Sequence, residues 1–404
     1  MPSATCGRHP PQHLRDRTVL KRRSLLLGLA GAAIPAAGFF TSRAFAGPAS
    51  TTLPLTVVNN SGTYANGSVR LYIVGTDLAT GHQAYAKPNG TLTPVALSDN
   101  GPDGYTDYSI PLASSGDTRL TLPAMSGRIY VALGDKLRFK AVADGAGRPA
   151  LQYPAGWVSS DPNYQVLHDF SEFTFNSSGM YCNTTAVDQF SVPLAIRLTG
   201  AADQTTGTIR PGGRDAVFSA VAAAPGFDKL VVGNKLRVIA PGHGLDAGLF
   251  SSTYFDAYVG QVWDTYRNTD LTVSVNSGTF TGRVSGDTLT FTGPRTVSFS
   301  RPSTRDVLYC DGAIAAPNDG TTGPVAAVLG AGFNRSVLAS QHSQPVTDAT
   351  AFYNGATTNH YAKAVHAATA DGKAYGFAFD DVAGFASYIQ DTAPTGLTLT
   401  LTPW

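Results

Sequence analysis

The sequence predicts a mostly β protein, with a β-sandwich or barrel lobe, a mixed α/β lobe and a wide cleft between them. Three observations carry that prediction. Short runs of alternating apolar and polar residues fill positions 53–198, helical periodicity is confined to about 201–370, and strand-like runs return at 376–380 and 397–402. With no internal repeat and no low-complexity linker, the two lobes are expected to share a cleft.

Residues 1–46 read as an export signal rather than as fold. Lys21-Arg22-Arg23-Ser24 precedes an apolar run that closes at Ala44-Phe45-Ala46, the order of a charged region, a hydrophobic region and a cleavage site. The paired arginines suggest the twin-arginine route of bacteria, so a secreted, extracellular protein is expected, with no membrane anchor after cleavage. Residues 47–200 form the predicted β lobe. Its runs LPLTVVNN, VRLYIVG, RIYVAL and KLRFKAV are separated by NG, DNGPDG and SG turns. The predicted mixed lobe spans 201–370. Asp215 is a candidate cap for DAVFSAVAAA, which stops at Pro225-Gly226, and Ser251 or Ser252 for a run to Tyr266. Further helices are expected over 324–339 and 359–370, with strands at 271–275, 288–292 and 297–300. Trp263 recurs at helical spacing with Tyr258, Val262 and Tyr266, which marks core rather than a surface platform. The last strands, within 371–404, are expected to complete the β lobe.

Cleavage changes the charge. Seven basic residues and one acid leave with the signal, so 29 basic and 28 acidic residues become 22 and 27, a net charge of −5. That field repels phosphate backbones, which argues against a nucleic-acid partner and suits a neutral ligand. Cys6 leaves too, and the remaining pair, Cys182 and Cys310, predicts a disulfide in an exported protein. Two thiols and scattered histidines offer no metal site, and no cofactor is expected. No GxSxG nucleophile signature is present.

The chain contains one glutamate, Glu172, so its 28 acids are 27 Asp and this residue. It lies among Phe170, Phe173 and Phe175. A carboxyl held against aromatic surface is pushed toward the protonated form that a general acid needs. Asp188 follows in a second short apolar run (Ala186, Val187, Phe190, Val192). If the two runs are neighbouring strands, the carboxyls face one another; the alternative is a structural ion pair. Thr174 and Asn176 fall on the face of Glu172 by strand alternation.

The block Glu172-Phe-Thr-Phe-Asn176, Tyr181, Asn183 and Val187-Asp188-Gln-Phe-Ser-Val-Pro193 resembles the catalytic block of glycoside hydrolase family 64, the laminaripentaose-producing β-1,3-glucanases. More distantly it resembles thaumatin-like proteins, as do Leu55-Thr-Val-Val-Asn-Asn60 and Tyr375-Gly-Phe-Ala-Phe-Asp-Asp381. The resemblance spans most of the chain after the signal. It implies a thaumatin-like β lobe and a monomeric β-1,3-glucanase that inverts configuration, with Glu172 as general acid and Asp188 as general base. It also implies sugar contacts from Thr174, Asn176, Tyr181, Asn183, Asp380 and Asp381, and β-1,3-glucan as partner. The alternative is a thaumatin-like protein that binds β-1,3-glucan without cutting it.

Overall fold

A computed structural model describes residues 51–404; the export signal and Cys6 lie outside the described residues. Two open sheets dominate the first half. One has five strands, in the order Asp203–Thr206, Leu194–Thr199, Gly396–Leu401, Thr52–Asn59, Thr118–Pro123. The other has eight, running from Tyr388–Asp391 through Gly179–Thr184, Leu167–Asn176, Met125–Leu133, Val69–Thr76 and Gln83–Ala86 to Leu92–Pro94, with Ile110–Pro111 beside Val69–Thr76. The alternation read from the sequence is what joins them. Leu53, Leu55 and Val57 from one sheet meet Leu71, Ile73, Ile129, Phe173 and Phe175 from the other in one apolar core. Neither sheet closes, so the sandwich option holds and the barrel option does not.

The chain end returns to this body. Gly396–Leu401 lies between Leu194–Thr199 and the first strand, parallel to the latter. The run 376–380 is a tight turn rather than the expected strand. Asp380 folds back to accept from the Gly376 amide at 2.9 Å, while Phe377 and Phe379 pack into a separate apolar cluster. The strand lies further on, at Tyr388–Asp391, paired with Gly179–Thr184.

The largest core belongs to the helix-bearing half. The helices Gly213–Ala223, Asp256–Asn268, Thr322–Asn334 and His360–Ala368 pack with Leu271–Val275, Gly278–Ser285, Thr288–Thr292 and Val297–Ser300. Trp263 is buried there against Phe333. The expected helices are present with shifted ends. Gly212, not Asp215, stands at the first N-cap, because its left-handed φ of 71° turns the chain into the helix; Asp215 lies in the first turn and pairs with Lys235. The short helices Pro241–Asp246 and Thr304–Tyr309 have too few turns to show a period.

No disulfide joins Cys182 and Cys310. The first thiol is buried between the two sheets and the second in the Phe377/Phe379 cluster, each among apolar side chains of a different core. Among the described residues, no helix is long and apolar enough to cross a membrane.

Candidate active site

Because Phe173 and Phe175 point into the sandwich core, Glu172 and Thr174 occupy the outer face of the eight-stranded sheet. Register aligns Val74, Arg128, Glu172, Asn183 and Tyr388 in one row across that face. The next row is Thr76, Ser126, Thr174, Tyr181 and Gln390. The side-chain oxygens of Ser126 and Thr174 are 2.8 Å apart. The two rows therefore bring hydroxyls, amides and two phenols beside one carboxyl.

Arg128 organises the first row. Its Nε donates to Glu172 Oε1 at 3.1 Å, its Nη1 to the Tyr130 hydroxyl at 3.2 Å and its Nη2 to Asp188 Oδ2 at 3.3 Å. The guanidinium carbon lies 4.1 Å from the centre of the Phe170 ring. The expected aromatic setting of Glu172 thus includes a cation, which the sequence reading did not foresee. Burial works against the charge on Arg128, but Tyr130, Glu172 and Asp188 outweigh it and raise its pKa well above the ordinary value. One nitrogen, Arg128 Nη2, lies 3.0 Å from Glu172 Oε1 and 3.3 Å from Asp188 Oδ2, so those two oxygens are at most 6.3 Å apart.

Asp188 reaches this point from elsewhere. It precedes the two-residue strand Gln189–Phe190, which pairs with Arg237–Ile239 and not with the strand bearing Glu172. Its loop is fixed largely by the second half of the chain. The Tyr361 hydroxyl donates to Ala186 O, Ala240 N donates to Asp188 O at 3.1 Å, and Ala186 N donates to Tyr375 O at 2.8 Å. The carboxylate's other oxygen, Oδ1, is 2.8 Å from His243 Nε2. The side chain of Asp188 is only 7% exposed and that of Glu172 21%, so the second is the more open to a ligand.

The remaining predicted contacts divide. Thr174, Tyr181 and Asn183 line the two rows. The Oδ1 of Asn183 is buried with no hydrogen-bond partner among the described residues, beside Glu172 in register. A buried amide oxygen left unpaired costs about 1–3 kcal/mol, so a ligand hydroxyl or water is needed there. Asn176 is occupied locally, its Oδ1 accepting from Ser178 N at 2.8 Å in the hairpin turn. Asp380 departs from the expected sugar contact. It is fully buried, with Oδ1 3.1 Å from Arg335 Nη2 and Oδ2 2.8 Å from His366 Nε2, which makes it an internal anchor closed to a ligand. Burial alone would raise its pKa, but His366 and Arg335 outweigh burial and hold it below the ordinary value. Asp381 is half-buried, its Oδ1 lacks a partner among the described residues, and burial pushes its pKa up to about 6.

Arg128, His243, Ser126 and Trp157 were missed by the sequence reading. Arg128 alone left a signal, as a charge within the otherwise β-forming, apolar run MSGRIYVAL. His243 sits in Pro241-Gly-His-Gly244, which reads as an ordinary turn.

A carboxyl pair on an open polar and aromatic face, carried by a two-sheet body, is the layout of a carbohydrate-active protein, and the comparisons with known proteins agree. The model of the β-1,3-glucanase family, glycoside hydrolase family 64, matches residues 51–401. The chain belongs to glycoside hydrolase family 64. It is 36% identical over 368 residues to a glucan endo-1,3-β-glucosidase of Cellulosimicrobium cellulans, covering 87% of this chain and 65% of that protein. The chain thus spans just under two thirds of the length of that curated relative. A laminaripentaose-producing β-1,3-glucanase, solved with laminaritetraose, shares 37% identity at a TM-score of 0.80 over 88% of this chain and 99% of its own. A family 64 β-1,3-glucanase domain from Clostridium beijerinckii follows at 28% identity, TM-score 0.77, over 88% and 98% of the two chains.

Proposed function

We propose that this chain hydrolyses β-1,3-glucan to short oligosaccharides such as the pentamer, with inversion, using Glu172 as general acid and Asp188 as general base. The observation that carries hydrolysis is the pair of carboxyls converging on Arg128 beside the polar rows, in a member of a β-1,3-glucanase family; inversion rests on the family resemblance. A water molecule gives its proton to Asp188 while its oxygen attacks the anomeric carbon. The bond from that carbon to the bridging oxygen breaks, and the leaving oxygen takes the proton of Glu172. Asp188 suits the base because donors flank both its oxygens. Glu172 suits the acid because it is the more open carboxyl of the pair. Thr174, Tyr181 and Asp381 extend the contact surface.

In this reading the two-sheet body is the thaumatin-like lobe predicted over 47–200 and 371–404, with the edge strand Asp203–Thr206 added from the segment assigned to the other lobe. The 201–370 lobe forms the other wall of the cleft, and the protein acts as a secreted monomer. The non-catalytic alternative would leave both carboxyls only as ion-pair partners of Arg128.

The test is product analysis on laminarin or curdlan by purified protein beside Glu172→Gln and Asp188→Asn. Oligosaccharide release that vanishes in both variants, with fresh product in the α-configuration, supports the reading. Binding to insoluble glucan without any release would replace it with the binding-protein alternative.

A further inference from the structure

From the geometry around Asp188 we infer that His243 is a positioning residue for the general base, itself clamped by Trp157 and Tyr309; this rests on the assignment of Asp188 above. A carboxylate oxygen only accepts hydrogen bonds, so the 2.8 Å contact from His243 Nε2 to Asp188 Oδ1 places a proton on that nitrogen. Arg128 holds Oδ2 at 3.3 Å. Donors on both oxygens fix the plane of the carboxylate, and hence the direction in which its remaining lone pairs meet water.

His243 is held in turn by elements remote in sequence. The Trp157 ring stacks on the imidazole at 4.0 Å and 14°. The Tyr309 ring meets it edge-on at 5.8 Å and 82°, with the Tyr309 hydroxyl 3.3 Å from Nδ1. That hydroxyl donates to Asp246 Oδ2 at 2.7 Å, and Asp246 pairs with Arg305 at 3.4 Å. Two glycines permit the close packing. One of them is Gly242, where a Cβ would fall 3.1 Å from the Tyr309 ring; the other, Gly156, seats the chain beside Trp157 against Arg237. Here one ring nitrogen faces the base, the other a phenol, and one ring face is covered by Trp157.

A base displaced by about 1 Å from its attack geometry loses about a hundredfold in rate. His243→Ala is therefore expected to lower kcat about 10- to 100-fold while leaving KM for laminarin within about twofold. His243→Gln, whose amide nitrogen stands where Nε2 stood, recovers part of that loss, and Tyr309→Phe gives a smaller loss. Removing a donor from an ionised carboxylate disfavours its charge, so the acidic limb of the rate profile moves to higher pH in His243→Ala. The charged and titratable groups facing Asp188 are Arg128, His243, Glu172 across the guanidinium, and the phenols Tyr130 and Tyr361; Tyr309, Asp246 and Arg305 stand behind the imidazole.

The experiment measures kcat, KM and the pH profile for the three variants beside Asp188→Asn, with thermal melts to show folding. A kcat loss with an upward shift of the acidic limb, partly restored by Gln, is the expected result. If His243→Ala keeps the wild-type kcat and limb while Asp188→Asn is inactive, the inference fails and the base assignment stands. If Asp188→Asn remains active, the base assignment fails, and the inference falls with it. Should His243→Ala not fold, Tyr309→Phe decides by the same limb shift, which a purely structural contact would not produce.

Discussion

Replacing Arg128 with Gln tests the electrostatic logic of the site most directly. The guanidinium lies within 3.3 Å of oxygens from both carboxyls, and its side chain is 9% exposed. Without it, two carboxylate oxygens at most 6.3 Å apart face one another across a neutral amide. At an effective dielectric of about 20 their repulsion is about 2–3 kcal/mol, which corresponds to about two pH units. One carboxyl of the variant therefore keeps a proton to higher pH, and Glu172, which loses its guanidinium partner while Asp188 keeps His243, is the one expected to do so. The basic limb of the rate profile, set by loss of the acid's proton, moves up by one to two units, and kcat falls because the guanidinium no longer holds Glu172 against Asp188. Stability follows the same sign. A carboxyl whose folded pKa lies above its unfolded value stabilises at low pH, and that contribution is lost as pH rises through the folded value. The variant therefore melts near the wild-type temperature at pH 4 and well below it at pH 8, where truncating a buried pair costs about 3–5 kcal/mol. The assays are a pH–rate series on laminarin and thermal melts at both pH values. A variant whose basic limb superimposes on that of wild type would refute the reasoning.

Other predictions follow from the same contacts. Asp380→Asn leaves Arg335 and His366 buried without their anion, so urea denaturation is expected to show a loss of about 3–5 kcal/mol; a variant of unchanged stability but raised KM would instead return Asp380 to the substrate. Asp381→Asn gains stability at pH 8 and none at pH 4, because a carboxyl raised to about 6 by burial destabilises only when ionised. A melt series in pH checks this, and KM on laminarin from the same variant reports any sugar contact. Reductant leaves the melting temperature unchanged, since Cys182 and Cys310 are not bridged; both thiols react with a thiol reagent only in denaturant, and a reductant-sensitive melt would refute this. Ser126→Ala raises KM for laminarin a few-fold with little change in kcat, because it removes a hydroxyl from the row beside Thr174 and touches neither carboxyl.

Much of the fold was legible because its signals are local. Alternation in VRLYIVG and RIYVAL marked strands, which the structure buries on both faces, and the alternation in SEFTFN put Glu172 and Thr174 on the outer face. A single glutamate in an aromatic strand marked the site. The run 376–380 failed because Tyr-Gly-Phe-Ala-Phe has strand composition, while its conformation is set by Asp380 bonding back to Gly376 and to the distant Arg335. The disulfide failed because pairing two thiols from their number says nothing about which core each one enters.

By itself, then, the sequence determined most of the longer strands and helices, the face on which Glu172 and Thr174 lie, and the family whose pattern the block Glu172…Asp188 repeats. Only the tertiary structure decided what surrounds those carboxyls. Arg128, Glu172, Asp188 and His243 come from two strands of one sheet, a loop and a short helix. Each is unremarkable within its own segment, and hydrogen bonds between residues tens of positions apart leave no local period to read. Asp188 stands where it does because Tyr361, Ala240 and Tyr375 hold its loop from the other half of the chain.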